Sequence, residues 1–210
     1  MIFEAKCISS LEKIFPEQEN ITGEISRISA LLGETVSFQI ACRSDSPYWL
    51  SAETESGQVE IREVALAPSE FVASDDTPAV LRKTPGLYPD PLLPLNGPVR
   101  MPPTQWRALW ITLRTSKQNQ PGTKTIKITV KAKSVWTGEA EQDCLLTLEL
   151  LPAELPEQPL THTEWFHTDC IYTYYKVPCW SEEHWNLLEK YFTPHFNARS
   201  IQRPNFAKSN

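Results

Sequence analysis

The stretch LPAELPEQPLTHTEWFHTD, residues 151–169, separates two parts of the chain that have different hydrophobic patterns. Before it, apolar residues recur at every second position in several runs, which is typical of strands; after it, the pattern has the 3.6-residue period of a helix. Pro152, Pro156 and Pro159 remove backbone donors and favour an extended chain. We therefore predict a domain boundary, with residues 154–160 as a proline-rich linker.

Length and charge narrow the class of protein. The chain has 210 residues, 40% of them hydrophobic, and a net charge of −6 at pH 7. This length suits one core of ordinary domain size and a small extra unit. An acidic chain without basic runs argues against nucleic acid or a membrane as partner, because both attract clustered Lys and Arg. No signal-peptide pattern or membrane-spanning apolar window is present, so we predict a cytoplasmic protein.

The cysteines favour reduced, buried thiols over a disulfide framework, because they are odd in number and widely spaced. They are Cys7, Cys42, Cys144, Cys170 and Cys179. A zinc site is an alternative, but the spacings of its potential ligands fit a structural zinc site only loosely. Those ligands are His167, Cys170, Cys179 and His184. We predict no metal and no cofactor.

Alternating runs predict the strands of the first part. They are ETVSFQIACR from Glu34, WRALWITLRT from Trp106, KTIKITVKAK from Lys124 and CLLTLELL from Cys144. A further run over Val59–Leu66 slips its period by one residue, which suggests a β-bulge. The run from Trp106 is apolar on both faces, as expected of a strand in the middle of a packed sheet. Residues 77–103 contain eight prolines and predict a long irregular segment.

These short strands at hairpin spacing, with no helical pattern between them, predict a mainly β fold. We place an antiparallel two-sheet β-sandwich of immunoglobulin-like type at residues 1–153. Lys127, Lys131 and Lys133 alternate with apolar residues of their strand and predict a solvated face rather than a binding stripe.

Residues 161–210 carry a strand signal and then helix signals. The strand signal ends in HTEWFHTD, and Ser181 is a good N-cap followed by two glutamates that suit the first turn of a helix. The apolar face of this helix would be formed by Trp185, Leu188 and Phe192. The order strand, loop, helix is half of a βαβ unit. We therefore predict the incomplete start of a (β/α)8 barrel.

The phrase LPEQPLTHTEWFHTDCIYTYYKVPCWSEEHWNLLEKY, residues 155–191, resembles the start of the catalytic barrel of glycoside hydrolase family 123, in which a β-sandwich precedes a (β/α)8 barrel. The run LWITLRTSKQNQPGTKTIKITVKA, residues 109–132, is similar to the last hairpin of that family's sandwich. The resemblance implies hydrolysis of a β-linked 2-acetamido-2-deoxy sugar, typically N-acetylgalactosamine. The acetamido group would be the nucleophile, with an Asp to orient it and an adjacent Glu as general acid.

The sequence departs from the family pattern at this catalytic pair, since no Asp in it is followed directly by Glu. After Pro194 the sequence shows neither a second barrel strand nor the continuing resemblance, and such a barrel needs about 200 further residues. We therefore expect a truncated member that does not cleave glycosides itself. Its expected partner is the carbohydrate substrate of the full-length family, and the incomplete barrel predicts self-association. A freestanding carbohydrate- or protein-binding β-sandwich module is the alternative function.

The candidate substrate-binding residues are Trp165, His167 and Asp169. Period two places them on one side of the predicted strand, at the carboxyl end where barrels contact their substrates. The family resemblance implies that His167 and Asp169 line the sugar pocket of a complete enzyme. The alternative is that these side chains only satisfy backbone groups at a strand end. No catalytic residue is predicted.

Overall fold

The computed structural model describes residues 1–70, 80–156 and 168–192. The chain divides into two compact units, residues 1–157 (unit 1) and 158–210 (unit 2). The described strands of unit 1 are β1 (Phe3–Ser9), β2 (Arg27–Leu32), β3 (Thr35–Ser44), β4 (Tyr48–Glu53), β5 (Val59–Ser69), β6 (Gly86–Pro94), β7 (Val99–Met101), β8 (Arg107–Arg114), β9 (Gly122–Ser134) and β10 (Gly138–Glu154). The described helices of unit 2 are α1 (Asp169–Tyr175) and α2 (Glu182–Phe192). Neither of these helices is long and apolar enough to cross a membrane.

The strands of unit 1 form two five-stranded sheets. Sheet A has the order β1-β3-β8-β5-β6, and sheet B has the order β2-β10-β9-β4-β7. Apolar side chains from both sheets, such as Phe38 and Ile40 of β3 and Ile128 and Leu146 of β9 and β10, join in one buried core. The predicted mainly β fold is confirmed. Its assignment to the immunoglobulin-like type stays a prediction, as does independent folding of residues 1–153.

Strand β8 lies at the centre of sheet A, as its doubly apolar sequence predicts. Leu109, Ile111 and Leu113 of β8 join the core shared with sheet B. Trp106 and Ala108 alternate with them and belong to a second, smaller buried cluster. Side chains from the neighbouring strands and Ile14 from the β1–β2 connection complete this second cluster. The strand is therefore covered on both faces.

Strands β9 and β10 form the longest hairpin of sheet B, paired from Ser134 and Gly138 at the turn to Gly122 and Leu150 at the far end. The predicted strand from Lys124 falls within β9. Lys127, Lys131 and Lys133 alternate with buried residues of β9, and each forms an ion pair. The pairs are Lys127–Asp143 at 2.8 Å, Lys131–Glu53 at 2.5 Å and Lys133–Glu139 at 2.6 Å. The prediction of a solvated lysine face is confirmed.

The prediction that residues 77–103 form an irregular segment is wrong for the described part, residues 80–103. Strand β6 pairs with β5, and β7 pairs with β4. Both strands lie at the edge of their sheets. An edge strand tolerates proline because one side of its backbone has no ladder partner to lose. The proline-rich composition therefore marks sheet edges here and not a loop.

We predicted that both sheets are antiparallel, and this is wrong for sheet B, which contains one parallel pair. Strand β2 pairs with β10 in parallel, from Arg27 opposite Thr147 to Ala30 opposite Leu150. Hydrophobic alternation shows which face of a strand is buried, but it does not encode the direction of the partner strand. The pairing brings β2, which follows β1 of sheet A in sequence, into sheet B.

The predicted linker at residues 154–160 begins inside β10. Glu154 pairs with Leu32 after a register shift, and the Leu155 N–H donates to the Leu32 carbonyl at 2.8 Å. Pro152 lies within the register shift, beyond the last residue of β10 that pairs with β9. A missing N–H is tolerated there because no ladder bond depends on it. Residues 157–160 lie outside the described residues.

The side chain of Gln142 joins the edge of sheet A to β10. Its Oε1 accepts the Ala5 N–H at 2.9 Å, and its Nε2 donates to the Ala5 carbonyl at 2.6 Å. The amide thus makes the same two bonds with β1 that a neighbouring strand would make. Two residues farther along each strand, the Cys7 and Cys144 thiols are both buried.

The five cysteines, all within the described residues, are thiols and not disulfides, but only three of them are buried as predicted. Cys7, Cys42 and Cys144 lie in the core of unit 1, whereas Cys170 and Cys179 of unit 2 are exposed. Burial raises the pKa of the Cys42 thiol. The hydrogen bond with Cys7, together with burial, raises the pKa of Cys144.

Iodoacetamide should modify two of the five thiols in the native protein, Cys170 and Cys179, and all five after unfolding. The thiolate is the reactive form, and burial suppresses it. Intact-mass measurement followed by peptide mapping counts and locates the modified residues. Rapid labelling of Cys42 without unfolding would contradict the packing of the core.

A chain that ends at Pro156 should melt in one cooperative transition, because both sheets and both buried clusters lie before that residue. Circular dichroism and scanning calorimetry measure the transition. The full chain is the control. A broad, non-cooperative melt of the shortened chain would show that residues 1–156 do not form an independent domain.

Candidate functional site

The described residues of unit 2 form two helices joined by a tight connection. Helix α1 ends at Lys176, which has a left-handed backbone (φ 55°) and donates its N–H to the Tyr172 carbonyl. Trp180, just before α2, is also left-handed, with φ 62°. A bulky residue in this region of backbone space is rare and needs contacts that hold it there.

Helix α2 begins as its sequence predicts. The Ser181 hydroxyl accepts the His184 N–H at 3.2 Å, which is the N-cap bond expected of a serine before a helix. Glu182 and Glu183 lie in the first turn and Lys190 in the last, so their charges complement the helix dipole. The helix prediction is confirmed.

The buried side of α2 is centred on His184, which is 0% exposed. Its Nδ1 accepts the Trp180 N–H at 3.0 Å, and its ring meets that of Tyr172 edge-on with centroids 5.4 Å apart. Leu188, one turn later, is also buried, whereas Trp185 is only half-buried. The predicted apolar face is therefore displaced toward His184. The side chain of Phe192 lies outside the described residues.

His184 holds the strained Trp180 in place. Because its Nδ1 accepts a hydrogen bond, the neutral ring carries its proton on Nε2. Within the part of the chain that the structure describes, this buried Nε2 has no hydrogen-bond partner. The site thus offers an unused N–H donor in an aromatic surrounding. From the sequence, His184 is one of four loosely spaced zinc-type ligands, with packing or capping as the favoured alternative, and the structure places it in a packing role on the inner side of the helix.

Of the three predicted site residues, only Asp169 lies within the described residues. Asp169 is exposed and is the first residue of α1, so its placement at the end of a strand is wrong. A carboxylate is favourable in the first turn of a helix, and this competes with the strand pattern that precedes it. Trp165 and His167 lie outside the described residues, as do all residues of the predicted strand before Thr168. Their role in a sugar pocket stays a prediction.

A shallow hollow of about 310 Å³ lies between the two helices. It is lined by Cys170, Ile171, Tyr174, Tyr175 and Tyr191. The hydroxyls of Tyr175 and Tyr191 are 2.9 Å apart, and this hydrogen bond raises the pKa of Tyr191. In residues 1–70, 80–156 and 168–192, no three His, Cys, Asp or Glu side chains are grouped so that they could hold a metal ion.

Part of unit 2 is similar to a known protein family. Residues 165–202, which include α1 and α2, match the family model "Glycoside hydrolase 123, catalytic domain". The predicted resemblance to glycoside hydrolase family 123 is confirmed. The family 123 match covers all three candidate substrate-binding residues. No curated protein matches this chain in sequence.

The chain is also similar in fold to a solved family 123 enzyme. A solved family 123 glycoside hydrolase from Clostridium perfringens, described for glycolipid glycan hydrolysis, superposes with a TM-score of 0.69 at 17% identity. The alignment covers 92% of this chain and 36% of that enzyme, so the chain spans about a third of its length. A PapD-like domain of human CEP192 has a TM-score of 0.35 at 10% identity, with 62% of this chain and 84% of that domain covered.

Replacing His184 with Leu should loosen the turn before α2, because the Trp180 N–H loses its acceptor. An N–H left without its partner costs about 1 kcal/mol or more, so the Trp180 amide should exchange at least ~5-fold faster with solvent. His184→Asn should retain most of the protection, since the Asn oxygen can occupy the position of Nδ1. Amide hydrogen exchange by NMR measures both variants. Glu183→Gln, at an exposed position of the same turn, is the control; equal exchange in all three variants would show that His184 does not hold the turn.

Proposed function

We propose that this chain is the amino-terminal part of a glycoside hydrolase that acts on β-linked 2-acetamido sugars, N-acetylgalactosamine in particular. The catalytic-domain match at residues 165–202 is the observation that carries the proposal. The structural match to the Clostridium perfringens enzyme supports it, since this match extends over both units. Both matches support glycoside hydrolysis as the reaction class, and the sugar follows from the family resemblance.

In the proposed reaction, the 2-acetamido group of the substrate attacks its own anomeric carbon as the glycosidic bond breaks. One carboxylate orients the acetamido group, and a neighbouring carboxylic acid protonates the leaving oxygen. Those two positions correspond to the Asp–Glu pair of the family, which this sequence does not contain. General acid catalysis alone contributes a factor of about 10²–10⁴. The chain by itself is therefore proposed to be inactive.

The contribution of unit 2 would be to bind the sugar. Under this proposal, Trp165 supplies an apolar ring face, and His167 and Asp169 form hydrogen bonds with sugar hydroxyls. Asp169 is exposed at the start of α1, so its carboxylate is accessible to a ligand.

Self-association through unit 2 is part of the same proposal. Tyr174 is 78% exposed and Trp180 is 50% exposed, which is unusual for large aromatic side chains in so small a unit. Exposed apolar surface of this kind favours contact with another protein surface. Further barrel strands and helices would cover it in a complete enzyme.

The purified chain should not release nitrophenol from p-nitrophenyl N-acetyl-β-galactosaminide above the spontaneous rate. The reason is that neither the orienting carboxylate nor the general acid is present. Absorbance at the nitrophenolate maximum measures release, and the His167→Ala variant is the matched control. Turnover that this substitution abolishes would contradict the proposed inactivity and assign catalysis to His167.

The hydrolase assignment itself is tested by the DNA that follows the last codon. A reading frame there that encodes further barrel strands and an Asp–Glu pair would support the proposal. When that frame is joined to this chain, the product should hydrolyse the same substrate, and Asp→Asn or Glu→Gln in the pair should abolish turnover. The assignment would be overturned if the downstream DNA encodes no such frame and the chain binds no 2-acetamido sugar.

A further inference from the structure

A tryptophan lies on the solvent face of sheet B, where the surrounding side chains are polar. Trp49 is the second residue of β4 and is 46% exposed, while its neighbours Tyr48 and Leu50 point into the core. It is directly opposite Lys133 of β9, which is directly opposite Glu139 of β10. The next row on the same face consists of Ser51, Lys131 and Glu141.

These two rows form a hollow of about 540 Å³, within the range of about 300–1,000 Å³ that is usual for small-molecule sites. It is lined by Trp49, Ser51, Pro98, Lys131, Ala132, Lys133, Glu139, Ala140 and Glu141. All of these residues belong to unit 1, and none lies in the stretch that matches the hydrolase family. The hollow therefore shares no residue with the proposed active site.

The charges of the hollow cancel. Lys133 pairs with Glu139 at 2.6 Å, and Lys131 pairs with Glu53 at 2.5 Å and lies 3.9 Å from Glu141. The ion pair with Glu139 raises the pKa of Lys133, and the ion pair with Glu53, helped by Glu141, raises the pKa of Lys131; Lys133 lowers the pKa of Glu139, so these groups stay charged near neutral pH. Two lysines and two glutamates line the hollow, and Glu53 and Arg100 beside it add one charge of each sign, so there is no net charge for attracting an ionic ligand. They nevertheless provide N–H donors and carboxylate acceptors side by side.

An apolar ring beside balanced donors and acceptors fits a neutral, hydroxyl-rich ligand. One face of a β-configured pyranose carries C–H groups that can stack on an indole, and its equatorial hydroxyls point outward, where each can donate to a carboxylate and accept from an ammonium. Neighbouring strands are about 4.8 Å apart, so Lys133 and Glu139 follow Trp49 at about one and two strand spacings. A sugar ring on Trp49 would place its hydroxyls within reach of these groups.

Other classes of ligand fit less well. A sulfated or phosphorylated ligand would meet Glu139 and Glu141 as well as the lysines, and a cationic ligand would meet the lysines. A protein surface would need a larger apolar area, whereas Trp49 is the one large aromatic residue among those that line the hollow. We propose that the Trp49 hollow on the outer face of sheet B is a binding site for neutral saccharides.

Titration of the ¹⁵N-labelled full chain with neutral oligosaccharides tests the proposal. The probes are the β-1,4-linked tetramer of N-acetylglucosamine, lacto-N-tetraose and cellotetraose, with a heparin tetrasaccharide as the anionic probe. At least one neutral probe should shift the indole N–H resonance of Trp49 with a Kd on the order of 1 mM or tighter, while heparin does not. The resonance is assigned from the Trp49→Phe variant.

Trp49→Ala should weaken binding of that probe at least tenfold, and Trp49→Phe, which keeps a smaller ring, should weaken it less. Trp136→Ala is the matched control, because Trp136 is 68% exposed but does not line the hollow. Thermal melting verifies that each variant is folded. No shift with any neutral probe, a shift with heparin only, or equal weakening by Trp49→Ala and Trp136→Ala would overturn the proposal. None of these outcomes depends on hydrolase activity.

Discussion

A strand that is apolar on both faces has to be covered twice, and β8 imposes this requirement on unit 1. Sheet B covers one face, where Leu109 and Ile111 lie. The β1–β2 connection helps to cover the opposite face, because Ile14 packs in the same cluster as Trp106. Each large apolar side chain that is fully buried contributes about 1.5–3 kcal/mol. The connection, which has little regular structure, is therefore as much a part of the fold as the strands.

Strand β9 and residues 144–150 of β10 were predicted because one face of the strand is buried and the other is exposed, and their sequences show this alternation directly. Strand β3 also alternates in sequence but is buried on both faces at residues 38–42, and β8 was predicted from its doubly apolar sequence. The features that the sequence did not predict depend on which strand lies beside each element. The prolines of β6 are tolerated only because the strand lies at an edge, and the direction of β2 is set by its place beside β10. The alternation of apolar residues within a strand predicts neither its position in the sheet nor the direction of its partner.

The candidate sites also differ in how far the sequence could predict them. The start of α2 was predictable because a capping serine and two glutamates are adjacent in sequence. The role of His184 was not, since it depends on the left-handed backbone of Trp180 and on the ring of Tyr172. The Trp49 hollow draws its residues from β4, β9 and β10, which are far apart in the chain. Alternation could assign Lys131 and Lys133 to a solvated face, but it could not place an aromatic ring beside them.

The position of β10 has a mechanical consequence for the point at which unit 1 ends. The last strand of unit 1 is not at an edge: its second half lies between β9 and β2, with hydrogen bonds on both sides up to Leu150. Tension applied to the chain beyond residue 157 would pull β10 along its own length and load these two ladders in shear. Bonds loaded in shear share the force, whereas bonds at a peeled edge break one after another. Unit 1 should therefore resist tension that is applied through the chain beyond residue 157.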